Sequence, residues 1–150
     1  MTLFDLAQRF VGEVHERPGD ADSPFIQWCH ESVGMSPDTH DEVPWCSSFL
    51  NCLAKLLRLP RSKSARARSW LLIGRVIPLH DAQVGDVVIL RRGGPASAGP
   101  DVIDAPGHVG LFAGADRMRG VVHVLGGNQS DGVSVAGFKA VDVLGIRRLT

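Results

Sequence analysis

No stretch of this chain approaches the roughly 18 consecutive apolar residues of a membrane-spanning helix, so no span is expected. Charge of one sign is not in excess either: Lys+Arg and Asp+Glu both number 16. A balanced chain is not drawn as a whole to nucleic acid or to an anionic bilayer, and neither is expected as a partner. The opening segment, Met1 to Val14, has no uninterrupted apolar run, because Asp5, Arg9 and Glu13 break it. It also has no small-residue cleavage site, so no signal peptide is expected. Cysteine is scarce and odd in number: Cys29, Cys46 and Cys52 do not make a disulfide framework. Cys46 and Cys52 would sit on different faces of one helix and could not bridge without breaking it. The order Cys29, His30, His40, Cys46 fits no standard zinc spacing, and neither a metal nor an organic cofactor is expected. Internal repeats and low-complexity segments are absent.

What is present suits a single globular domain over residues 1–150, with 44% hydrophobic and 21% charged residues. The first half reads as helical. Leu3, Leu6, Phe10 and Val14 predict a helix over 2–15, with Thr2 as its cap. The turn residues of 17–22 predict a loop. Ser23-Pro24 then predicts a capped helix over 24–33. A third helix is expected from about 44 to 58, opened by Pro44 and stopped by Pro60. The basic segment 61–68 leads to a short helix closed by Gly74. It reads as a solvated face, or alternatively as a patch that meets an acidic polymer. From residue 75 the period becomes strand-like: strands are expected at 75–79, 84–90, 108–113, 121–125, 133–138 and 141–147. A Gly/Pro/Ala-rich loop is expected over 92–106, and a turn over 126–132. Helices followed by short-linked strands give an α+β fold with an antiparallel sheet.

Chemistry concentrates on Cys46. It opens the third helix and shares the apolar stripe of Phe49, Leu50, Leu53, Leu56 and Leu57, so it faces inward. Unpaired N–H groups and the helix dipole at that end are expected to favour a thiolate, the attacking form of sulfur. The N–H of Cys46 is a natural oxyanion donor. A Cys nucleophile needs a base, and His108, following Pro106-Gly107 at the start of a buried strand, is the leading candidate. The bland alternative is a histidine satisfied by the backbone. For the group that orients the imidazole, Asn128 and His123 compete. Gly126-Gly127-Asn128 is also ordinary turn chemistry. Trp45, Ser47 and Asp41 flank the nucleophile and are candidates for the wall of a substrate groove, although Asp41 also suits a cap and Trp45 the core. Cys29 and Cys52 read as buried small hydrophobes.

Several pieces in order resemble the papain-like bacterial cell-wall hydrolases of the NlpC and CHAP type, in particular a small subgroup of phage lysis proteins and secreted antibacterial toxins. They are Asp41-Glu42-Val43-Pro44-Trp45-Cys46-Ser47, Ala67-Arg68-Ser69-Trp70 with Gly74, Gly85-Asp86-Val87-Val88, Gly107-His108-Val109-Gly110, Leu125-Gly126-Gly127-Asn128-Gln129, and Gly145-Ile146-Arg147. The resemblance spans about 40–148. It implies a papain-like fold in which the catalytic Cys helix packs on an antiparallel sheet of five or six strands. It implies an endopeptidase that cuts amide bonds in peptidoglycan stem peptides, with Cys46 as nucleophile, His108 as base, Asn128 as first choice for the orienting residue with His123 the alternative, and no cofactor. Alternatives are an N-acetylmuramoyl-L-alanine amidase, a papain-like enzyme on a non-wall amide, or an idle binding module. Trp45 and Ser48 stand where better-known relatives carry Asp and Gly. Without a leader, such an enzyme would reach the periplasm and wall through a type VI-like secretion system or through phage lysis. A cognate immunity protein would then be a partner.

Overall fold

Val87, Val88, Ile89 and Leu90 are all buried, although successive strand side chains point to opposite faces. A strand apolar on both sides needs cover on both sides, and the architecture follows from that. The computed structural model describes residues 1–17, 21–94 and 97–150. Residues 18–20 of the first expected loop, and 95 and 96 of the expected 92–106 loop, lie outside the described residues.

Three α-helices precede the sheet: α1 (Leu3–Gln8), α2 (Pro24–Glu31) and α3 (Cys46–Leu56). The strands are β1 (Arg75–Ile77), β2 (Val87–Arg91), β3 (Gly107–Asp116), β4 (Val121–Gln129), β5 (Gly132–Lys139) and β6 (Val143–Arg148). They form one sheet in the order β1-β6-β2-β3-β4-β5, with every neighbouring pair antiparallel. The α+β class and the antiparallel sheet are as expected.

On one face Val87, Ile89, Val109, Leu111 and Leu125 pack against Trp45, Phe49, Leu50 and Leu53 of the α3 region. On the other, Val88, Leu90, Phe112, Val122, Val124 and Ile146 form a second cluster, covered in part by Phe138. His108 on β3 stacks on Phe138 of β5, with ring centroids 5.3 Å apart. β3 and β5 are not neighbours in the sheet, so this contact requires the sheet to coil around the second cluster. Arg91 at the end of β2 reaches across in the same sense, donating to Val141 O at 2.8 Å.

Element boundaries moved where the deciding interaction is not local. α1 ends at Gln8 rather than near 15, and the chain turns at Gly12 (φ 76) to bring His15 beside Gly132. Thr2 and Asp5 do form a capping box. Ser23 caps α2 with Pro24 in its first turn, and that helix ends at Glu31. Pro44 precedes α3 instead of lying within it, and the cap residue, Trp45, makes no side-chain cap bond. Residues 67–72 form a 3-10 helix. The turn expected over 126–132 is mostly strand: β4 runs to Gln129, and a register shift between Gly126 and Gln129 takes up the irregularity. No helix among the described residues is long and apolar enough to cross a membrane.

Candidate active site

Cys46 opens α3 and is 4% exposed. Its sulfur receives the backbone N–H of Val109, so the helix start is tied to the beginning of β3 beside His108. The N–H groups of Ser47 and of Cys46 itself also favour the charged form of the sulfur, as does the positive charge of Arg92. Burial outweighs them and pushes the thiol above its ordinary value. The expected thiolate at the helix end is therefore corrected to a thiol: dipole and N–H groups are present, but desolvation is the larger effect.

His108 is held on three sides. Its Nε2 lies 2.9 Å from Gln129 Oε1, its ring stacks on Phe138, and Arg92 Nη2 lies 3.4 Å from its Nδ1. The Gln129 amide has one possible orientation. Its Nε2 donates to Val124 O at 3.1 Å and to Ser134 O at 2.8 Å, and carbonyl oxygens only accept. The atom facing the imidazole is therefore the amide oxygen, which requires the hydrogen on His108 Nε2. Nδ1 is left with its lone pair, the state a general base needs. Burial lowers His108 to about 4, with Arg92 acting in the same direction and Gln129 opposing. The imidazole is neutral at neutral pH.

The group on the imidazole is thus Gln129, the residue after the expected Asn128. Asn128 adopts a left-handed φ of 58 at the irregularity in β4 and lines a cavity beside His108, while His108 Nε2 bonds to its neighbour. His123 is exposed in mid-β4, opposite Gly114 and Gly137. A signal for Gln129 existed: it closes the Gly-Gly-Asn-Gln piece, and a glutamine at a buried strand end needs partners for its amide.

The three groove candidates are all interior. Trp45 is 0% exposed, and its indole N–H donates to Glu16 Oε1 at 2.9 Å. Asp41 accepts from the backbone N–H of Arg17 and Ser23 at 2.8 and 2.7 Å, fastening the chain ahead of α2. Ser47 donates to Ser64 O at 2.6 Å and accepts from the Trp70 indole at 3.0 Å. All three side chains lie inside and spend polar atoms on internal partners, so here they support the site from within.

Two supports were missed as such. Arg68, from the basic segment, is 0% exposed and donates to Pro106 O, Ala98 O, Gly99 O and Val102 O, pinning the loop that leads into His108. A Cβ on Gly107 would lie 2.9 Å from the Arg68 side chain, which explains the glycine before the base. Asn51 ties α3 to the following segment through Ser62, Lys63 and Ser64. All three cysteines are free and buried, and Cys29 adjoins Cys52. Among the described residues no cluster of three His, Cys, Asp or Glu side chains could hold a metal ion. In comparisons with known proteins, the chain matches no protein-family model and no curated protein.

Proposed function

We propose that this chain is a papain-like cysteine hydrolase of the NlpC/CHAP type that cleaves amide bonds in the stem peptides of bacterial peptidoglycan. The observation that carries the reading is the fixed tautomer of His108. Gln129 occupies Nε2 and places the lone pair on Nδ1, at the strand start whose next N–H meets Cys46. In this reading His108 Nδ1 takes the Cys46 proton and sulfur attacks the scissile carbonyl carbon. The N–H groups at the start of α3 stabilise the oxyanion, and the proton passes to the departing amine. Water then attacks the thioester, giving one proton to His108 and releasing the acid. The proton returns to sulfur. Gln129 acts through His108 and is a positioning residue. Peptidoglycan as the substrate rests on the motif order in the sequence, as do delivery to the wall by secretion or lysis and the immunity partner.

The test is incubation of wild type, Cys46→Ala and His108→Ala with isolated peptidoglycan, followed by mass analysis of released fragments. Both variants are expected to release none above background, and the fragment masses identify the bond. Wild-type release by either variant would sink the proposal. Gln129→Leu is expected to slow turnover roughly tenfold or more through loss of one hydrogen bond to the base, with little change in KM. Asn128→Ala and His123→Ala should stay within a few-fold of wild type.

A further inference from the structure

Arg92 is an exposed residue lining a cavity of about 320 Å³ that His108, Asn128, Gln129 and Phe138 also line. Its chain neighbour Arg91 is engaged, 3.6 Å from Asp142 and bonded to Val141 O. Arg92 forms no ion pair among the described residues. What it touches is the Nδ1 of His108, at 3.4 Å. A cation against a base's lone pair is a poor arrangement for proton transfer: its N–H covers the acceptor, and its charge resists a second positive charge there. The same guanidinium is close enough to Cys46 for its charge to act on the sulfur. Arg92 follows the last residue of β2 and precedes Gly93 and Gly94, with φ of 91 and 74, so it hangs from a strand end at a bend. A guanidinium is carried on a long side chain and is shaped to grip a carboxylate through two parallel N–H groups.

We propose that Arg92 and this cavity form a carboxylate subsite: the substrate is a peptide bearing a free carboxylate beside the scissile amide, and its binding draws the guanidinium away from His108 Nδ1. The inference rests on the proposed hydrolase activity and adds to it the chemical class of the substrate. It makes Arg92 both a specificity determinant and a cap on the base. Without a carboxylate, the base stays covered. With one, the charge of Arg92 is neutralised, the lone pair is exposed, and the scissile bond is registered against Cys46.

Two measurements test this. The first compares hydrolysis of a stem peptide with the same peptide amidated at the carboxyl group beside the scissile bond, by wild type, Arg92→Gln and Arg92→Lys. Wild type should prefer the free carboxylate by about ten- to hundredfold in kcat/KM, the range of a charge-assisted pair. Arg92→Gln should bring that preference near one, by losing rate on the carboxylate peptide and by gaining rate on the amidated peptide as the base is uncovered, and Arg92→Lys should retain part of it. The second compares alkylation of Cys46 by iodoacetate and by iodoacetamide, which needs no turnover. The iodoacetate to iodoacetamide rate ratio should fall about tenfold in Arg92→Gln. Equal cleavage of both peptides with an unchanged alkylation ratio overturns the subsite and leaves the hydrolase standing. Cleavage of neither peptide with a falling ratio supports the subsite and overturns the hydrolase. Cleavage of neither with an unchanged ratio overturns both.

Discussion

At neutral pH Cys46 and His108 should rest as an uncharged thiol and an uncharged imidazole. Burial holds His108 at about 4 and pushes Cys46 above the ordinary thiol value of 9.0. The His108 shift alone, from 6.5 to about 4, makes moving the proton from sulfur to Nδ1 harder by about 2.5 pK units, or about 3 kcal/mol at 1.36 kcal/mol per unit, and the raised thiol adds to it. Burial of both groups therefore favours the neutral pair at rest. The assay is ultraviolet thiolate absorbance, wild type minus Cys46→Ala, followed from about pH 4 to pH 10. The difference should stay flat through neutrality and rise only above the range of an ordinary thiol. The acid limb of kcat/KM should lie near 4, because protonating His108 removes the base, and a free histidine would place it near 6.5. A thiolate step with its midpoint below about pH 6 would put the proton on His108 and refute the reasoning.

Two other substitutions read the supports of the site. In Gly127→Ala, the new Cβ would lie 2.5 Å from the Trp45 ring and 3.1 Å from Phe49 Cβ, both fully buried in the core. The expected cost is about 1–3 kcal/mol of stability by chemical denaturation, and an unchanged midpoint would contradict the packing at the α3 start. Arg68→Met removes the donor to four loop carbonyls and should lower stability by about 2–3 kcal/mol, roughly 4–12 °C in Tm. It should also loosen the approach to Gly107 and His108, read as faster proteolysis between 97 and 106. Wild-type Tm together with wild-type proteolysis would show that the loop is held by something else.

The parts of this fold that were legible in the sequence are those decided by neighbours in the chain. Ser23-Pro24 is a cap and a first-turn proline whatever surrounds it, and it starts α2. Val87 to Leu90, apolar at every position, could only be a strand covered twice. Cys46 at the head of an apolar stripe and His108 at the head of a buried strand were legible for the same reason. The residues that were misjudged are those whose role depends on a distant partner. The length of α1 is cut by the bridge between His15 and Gly132. Arg68, one of four charges in a short run, looks solvated until the carbonyls of a loop some thirty residues later close around it.

Asn128 and Gln129 differ in role because of a single step in register. A strand alternates its side chains, so one extra residue on β4 reverses which of two neighbours turns toward His108. The left-handed backbone at Asn128 and the shift between Gly126 and Gln129 supply that step, and neither is written in local spacing. The same dependence on surroundings inverts the reading of the sulfur. A helix start beside a cysteine argues for a thiolate only while water or a counter-charge can share the negative charge. At 4% exposure, water has little access to Cys46, and the nearby cation is Arg92, held against the base. Ionising the nucleophile is therefore not a property that α3 brings to the site on its own. In the proposed enzyme it has to be completed when substrate arrives, by His108 taking the proton and by whatever charge the substrate presents to Arg92.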